Sequence, residues 1–213
     1  IVPQSFVSVI FPILSKLGST EERSKFIFVY EKAFKLLYII SLPISTILIC
    51  LSDTILKFTY GTKFLASTNA LKIMGLSIVF LFLNSLNTFT LISIKKQHLS
   101  TISTAIAFLV NLIFDLILIP KYGFLGASVA TSVCYCAYFI LTFYFVLQSL
   151  GRLNLTYTFI KPIVGAGVMA LFIAYFHNVN PFIILPVSII IYISALLITR
   201  VFSPEDIELA KSL

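Results

Sequence analysis

Asp115 is the only acidic residue in the middle of an apolar stretch of this sequence, and Asn111 precedes it by four residues. On a helix, this spacing places both side chains on one face, one turn apart. A charge at the centre of a bilayer costs about 2.5–3.5 kcal/mol, so such acids usually face a bundle interior or a water-filled cavity. Asp115 is therefore a candidate proton or cation site or substrate contact. The alternative is a structural acid, protonated or hydrogen-bonded to a neighbouring helix.

Two further pairs of polar side chains within apolar stretches are also candidates. Asn84 and Asn87 share a helical face, and Gln4 and Ser8 lie four residues apart near the start of the sequence. Such residues either line a hydrophilic path or join helices through hydrogen bonds worth on the order of 1 kcal/mol each. The complete set of substrate-path candidates is Gln4, Ser8, Asn84, Asn87, Asn111 and Asp115.

Catalytic and metal-binding patterns are missing from the sequence. It has no Ser/His/Asp set, glycine-rich phosphate loop or carboxylate pair in a polar segment, and Cys50, Cys134 and Cys136 lie within apolar stretches. His98 and His177 lie at the ends of such stretches without a second ligand at metal-binding spacing. We predict no enzymatic activity, no metal and no cofactor. The net charge of +7 is spread over single or paired bases, which indicates basic loops near anionic lipid and not nucleic-acid binding.

The elements that position these residues are predicted to be transmembrane helices. The mean hydropathy is +1.07, and 11% of the residues are charged, against about 25% in soluble domains. Each apolar stretch approaches the roughly 20 residues that cross a bilayer. We predict an all-α polytopic bundle of about seven spans, the first of them truncated. The spans are residues 1–17, 36–56, 71–94, 99–119, 124–147, 158–176 and 181–199.

The connections between these spans are short and polar. Residues 18–35 are predicted to form a surface segment, either an interfacial amphipathic helix or an ordinary solvated one. Residues 57–67 form a link that turns at Gly61, and residues 95–98 form a tight corner. The tail, residues 201–213, has the signals of a short helix start.

Residues 111–131 are predicted to form a helical hairpin. The first helix is expected to stop at Pro120, because proline lacks a backbone donor and disfavours helix before it. Gly123 permits a tight turn. Gly126 and Ala130, four residues apart, leave a flat strip that another helix can approach closely.

The distribution of Lys and Arg predicts the orientation of the chain. With seven spans, one side holds eleven of the fifteen basic residues and the other holds four, Lys57, Lys63, Lys72 and Lys121. The positive-inside rule places the richer side in the cytoplasm. The C-terminus and the connections at 18–35, 95–98 and 148–157 are then cytoplasmic.

Three motifs carry a resemblance to a known family. They are FPILS at 11–15, the Pro-containing stretch at 42–67 with its YGxxF turn, and the hairpin at 111–131. In order and spacing they resemble the C-terminal half of the polysaccharide transporter family, within the multidrug/oligosaccharidyl-lipid/polysaccharide exporter superfamily. The matching positions are Tyr60, Gly61, Phe64, Asn111, Pro120, Gly123, Gly126, Ala127 and Thr131.

The resemblance implies a MATE-like flippase of two helical lobes that carries a polyprenyl-linked glycan across the cytoplasmic membrane by alternating access. Residues 1–157 would be a partial second lobe, residues 158–200 two trailing helices, and residues 201–213 a cytoplasmic tail helix. The implied partners are the glycan substrate, membrane lipid and the missing N-terminal half. No Lys or Arg lies in mid-span, which argues against a close match to the peptidoglycan-precursor flippases, whose cavities are cationic.

Three other functions stay open. One is a drug/cation antiporter of the same superfamily, with Asp115 as its ion site. Another is a polyprenyl-dependent glycosyltransferase or ligase, although such enzymes usually need large loops with Asp, Arg or His. The last is a scaffold that does not transport.

Overall fold

A computed structural model describes residues 2–18, 22–176, 179–199 and Val201. Within these ranges all regular secondary structure is helical. The helices are α1 (Val2–Gly18), α2 (Arg23–Cys50), α3 (Ser52–Tyr60), a 3₁₀ segment (Thr62–Ser67), α4 (Thr68–Ser93), α5 (Gln97–Tyr122), α6 (Phe124–Leu150), α7 (Thr156–Tyr175) and α8 (Pro181–Ile198). His177 and nearly all of the predicted tail helix lie outside the described residues.

The all-α membrane class is confirmed. Among the described residues, five helical segments are long and apolar enough to cross a membrane: α2, the 3₁₀ segment with α4, α5, α6 and α8. A shorter apolar segment, Phe159–Tyr175, lies within α7, and α1 has 17 residues. A helix thus occupies each of the seven predicted positions, and two of the seven are short.

The predicted surface segment at 18–35 is wrong as a separate element. A single helix, α2, runs from Arg23 through Pro43 to Cys50. Tyr30 and Phe34, near its start, are completely buried in the bundle, so packing extends the helix into the charged stretch. Pro43 removes only one backbone donor, a loss that membrane helices tolerate.

The end of the predicted second span is also different. α2 ends at Cys50, and the short helix α3 follows after Leu51. The predicted link at 57–67 is therefore largely helical. Its turn lies at Gly61 as expected, with φ of 84°. Glycine adopts such a positive φ without steric strain, whereas other residues adopt it at a cost in energy.

The core consists of two clusters that meet at α2. The larger one joins α1, α2, α4 and α6, and includes Leu14, Phe34, Leu86 and Val146. The smaller one joins the α7–α8 pair to the second half of α2. There the Tyr192 hydroxyl donates a hydrogen bond of 2.9 Å to the Ile39 carbonyl. α2 therefore links the first six helices to the last two.

The hairpin of α5 and α6 forms, but Pro120 does not end its first helix. α5 continues to Tyr122, and the chain turns at Gly123, which has φ of 56°. The Gly123 N–H still donates to the Ile119 carbonyl at 2.8 Å. The expectation of a stop at Pro120 is wrong because one missing donor near a helix end does not break the helix, whereas the positive φ of a glycine does.

Beyond the turn, the two helices of the hairpin approach very closely. A Cβ atom added to Gly126 would lie 2.4 Å from the Leu118 carbonyl oxygen of α5. Ala130, one turn further along α6, is completely buried. Small residues on α6 therefore allow backbone contact with α5.

Candidate functional site

Asn84 and Asn87 lie in a buried polar network that connects α2, α4 and α6. The Tyr30 hydroxyl donates to Asn87 Oδ1 at 2.7 Å, and Asn87 Nδ2 donates to Thr142 Oγ1 at 3.3 Å. Asn84 Nδ2 donates to the Tyr135 carbonyl at 3.0 Å. Both asparagines are at least 95% buried. In this conformation their polar atoms are used in contacts between helices.

A second polar contact lies nearer the α4–α5 turn. The Tyr138 hydroxyl of α6 is 2.8 Å from the Thr88 hydroxyl of α4 and 3.1 Å from the Ser100 hydroxyl of α5. A single phenol thus joins three helices. Tyr30, Thr142 and Tyr138 were not among the predicted site residues. Thr142 and Tyr138 could have been found as hydroxyls within a predicted span, whereas Tyr30 lies in the charged stretch that was predicted to be a surface segment.

We expect Tyr138→Phe to reduce the free energy of unfolding by about 1 kcal/mol, because hydrogen bonds between membrane helices average about 0.6 kcal/mol each. The ring stays in place, so only the two hydroxyl contacts are lost. Thermal unfolding of the intact protein in detergent measures the change. Tyr144→Phe is the control, since Tyr144 is 58% exposed on the same helix. Equal effects of the two substitutions would contradict the role of the Tyr138 hydroxyl.

Asn111 and Asp115 share the half-buried face of α5 that packs on α6. Asp115 is within electrostatic range of the Cys134 thiol. Asn111 Nδ2 is buried and has no hydrogen-bond partner among the described residues. Among the described residues, Asp115 has neither an ion-pair partner nor a hydrogen-bond partner. The structure therefore brings together an acid and an amide donor that both retain unused bonding capacity.

Gln4 and Ser8 lie on the exposed side of α1. Ser8 Oγ donates to the Ser5 carbonyl of its own helix at 2.8 Å. Their neighbours on this side, Ser5, Pro12 and Ser15, are also exposed. α1 thus presents a polar stripe on a membrane-length bundle. The six candidates form three groups: the α1 stripe, the buried Asn pair and the Asn111–Asp115 face.

One end of the bundle is basic. Arg23 at the start of α2 donates to the Ser149 carbonyl at 3.2 Å, and Lys96 donates to Ser149 Oγ at 3.0 Å. The Glu31 carboxylate accepts a hydrogen bond from the Asn154 N–H at 2.5 Å. The α1–α2, α4–α5 and α6–α7 connections, which the charge count assigned to one side, therefore meet at one end.

Among the residues that the structure places, no three His, Cys, Asp or Glu side chains form a group able to hold a metal ion. All three cysteines are free and partly buried in spans. The available chemistry is that of hydrogen bonding and charge inside a membrane.

Comparison with known proteins identifies relatives of this chain. The family model described as lipid II flippase MurJ matches residues 1–195. An uncharacterized membrane protein, MJ1068, of Methanocaldococcus jannaschii is 29% identical over 139 residues, 65% of this chain and 27% of that protein. A probable low-salt glycan biosynthesis flippase, Agl15, of Haloferax volcanii is 25% identical over 132 residues, 62% of this chain and 28% of that protein.

A solved structure shares the fold. The inward closed conformation of a lipid II flippase MurJ superimposes with a TM-score of 0.74 at 24% identity, covering 92% of this chain and 43% of that one. The chain thus spans less than half the length of each of these relatives.

Proposed function

Since this chain belongs to the lipid II flippase MurJ family, we propose that the protein carrying it moves a lipid-linked glycan across the cytoplasmic membrane by alternating access. The match over residues 1–195 is the observation that carries the proposal. Agl15, described as a probable glycan biosynthesis flippase, supports the same substrate class. The transported molecule would be a polyprenyl-linked oligosaccharide used in building surface polysaccharide.

The expectation of distance from the peptidoglycan-precursor flippases is wrong at the level of the family. It rested on the absence of Lys and Arg from the middle of the spans. The basic residues of a cationic cavity can lie in any part of the whole protein. This chain covers 43% of the solved flippase, so such residues could lie in the remainder. The absence of a cation in one part therefore does not separate the families.

The mechanism follows from the cost of moving polar groups through hydrocarbon. Sugars and a diphosphate cannot shed their hydration without replacement contacts, so a polar path must shield them while the polyprenyl chain stays in lipid. The α1 stripe with Gln4 and Ser8, and the Asn111–Asp115 face, are our candidates for this path. Asn84 and Asn87 would contribute only in a conformation that releases their present hydrogen bonds.

We further propose how the chain is divided. Residues 1–157 would be part of one transporting lobe, and residues 158–200 two trailing helices attached through α2. The meeting of the basic connections at one end supports a cytoplasmic position for that end and for the C-terminus. The rest of the protein would supply the facing lobe.

A translocation assay tests the proposal. The intact protein is reconstituted into liposomes that contain a fluorophore-labelled polyprenyl-diphosphate oligosaccharide. A membrane-impermeant quencher then measures how much label is exposed outside. We expect the protein to increase exchange between leaflets for the glycan lipid and not for a labelled phosphatidylcholine. Proton-driven efflux of drugs without glycan-lipid exchange would instead favour the antiporter, and equal exchange of both lipids would contradict specificity.

Asp115→Asn is expected to lower the rate of glycan-lipid exchange about tenfold, within the 1–3 kcal/mol typical of coupling between sites. The substitution keeps the size of the side chain and removes its charge. Asp53→Asn is the matched control, since Asp53 is exposed in the first turn of α3. A normal rate in Asp115→Asn would assign this acid a structural role and leave the flippase proposal standing.

A further inference from the structure

A cavity of about 630 Å³ opens between the ends of α1 and α4, at the basic end of the bundle. Its lining includes the apolar residues Phe11, Pro12 and Ile92, together with Lys16 and Lys95. Both lysines are exposed. The mechanism proposed above uses neither of them.

The backbone at Lys95 is unusual. Lys95 has φ of 60°, and among the described residues it is the single non-glycine residue with a positive φ. This conformation suits Gly or Asn much better than a long side chain. A lysine in such a conformation suggests a role beyond closing the turn.

The charges at this site favour an anion. The C-terminal ends of α1 and α4 direct backbone carbonyls, with their partial negative charge, toward this end and by themselves disfavour an anion. Binding of an anion here therefore depends on the positive charges of the lysines. Two ammonium groups among apolar lining residues, at the ends of membrane-length helices, match the phosphate and the upper acyl chain of a lipid.

We propose that this cavity binds the headgroup of an anionic phospholipid from the adjacent leaflet, with Lys16 and Lys95 contacting its phosphate region. Each lysine near an anionic lipid surface raises binding roughly fivefold. The preference for an anionic over a zwitterionic lipid should therefore fall roughly fivefold for each lysine removed. The inference requires only that the bundle spans a membrane, so it does not depend on transport.

Fluorescence quenching tests the site, because the sequence contains no Trp. In the intact protein, any tryptophan outside this sequence is replaced by Phe, and Ile92→Trp supplies the reporter. The protein is placed in vesicles with equal mole fractions of brominated phosphatidylglycerol or brominated phosphatidylcholine. We expect stronger quenching by the brominated phosphatidylglycerol. Ile102→Trp is the control, because Ile102 is 47% exposed on α5 near the same end, and it should show no preference.

Removal of the charges separates binding from folding. Lys95→Asn keeps a residue that tolerates positive φ, and Lys16→Gln keeps most of the side-chain length. Together they should abolish the preference at position 92 without lowering the thermal unfolding temperature. Equal quenching by both lipids, or a preference that survives both substitutions, would overturn the proposal. Displacement by a polyprenyl diphosphate at a lower mole fraction than by unbrominated phosphatidylglycerol would also overturn it, since the site would then belong to the transported lipid.

Discussion

Gly126→Ala is expected to reduce the free energy of unfolding by roughly 1–3 kcal/mol, the usual range for overpacking a tight contact. The added Cβ would lie 2.4 Å from the Leu118 oxygen and 2.5 Å from its carbonyl carbon. These are backbone atoms of a helix, so the clash is relieved only if α5 and α6 move apart. Thermal unfolding in detergent measures the loss of stability.

Gly167→Ala is the matched control for this prediction. Gly167 is also within a membrane helix, α7, and an added Cβ there meets no atom within 4 Å. Alanine favours helix over glycine, so this substitution should be neutral or slightly stabilising. A similar unfolding temperature for both variants would show that the hairpin relaxes freely. A destabilised Gly126 variant should also lower the proposed glycan-lipid exchange, since the candidates Asn111 and Asp115 lie on the helix that is displaced.

Asn87→Leu is expected to destabilise the protein by roughly 1–3 kcal/mol, because it leaves a buried hydroxyl without a partner. Asn87 is completely buried and is the acceptor for Tyr30, which is also completely buried. Leucine fills similar space and neither donates nor accepts. The decrease in the free energy of unfolding therefore measures the loss of the polar contacts and not the creation of a cavity.

A double-mutant cycle isolates the Tyr30–Asn87 hydrogen bond. Tyr30→Phe removes the hydroxyl, so Asn87→Leu should cost less in that background than in the natural sequence. We expect a coupling free energy of about 1 kcal/mol, within the range measured between membrane helices. Additive effects would mean that the two side chains stabilise the fold independently, despite the 2.7 Å contact.

The contact between α2 and α4 bears on the proposed transport. Tyr30 and Asn87 form a hydrogen bond where α2 packs against α4. α2 also contacts α8 through the hydrogen bond from Tyr192 to the Ile39 carbonyl. Movement of one part against another would have to keep or exchange these hydrogen bonds. The cycle therefore measures one of the contacts that hold α2 against α4.

Several features were determined by the sequence alone. Hydropathy and the low charge content required membrane helices, because hydrocarbon accepts no unsatisfied backbone. The turns at Gly61 and Gly123 were predictable, since both have positive φ and glycine adopts that conformation at no steric cost. The close-packing strip at Gly126 and Ala130 was visible as two small residues four positions apart. These properties depend on neighbours along the chain.

Other features were decided only by the tertiary structure. The charged stretch before residue 36 became part of α2 because Tyr30 and Phe34 found partners in other helices. Asn84, Asn87 and Asp115 look alike in sequence, as polar residues within apolar spans. The first two meet Tyr135, Tyr30 and Thr142, whereas Asp115 has no such partner among the residues described. Whether a polar group in a membrane is satisfied depends on the helix opposite it, and the linear pattern of one helix carries no information about that neighbour.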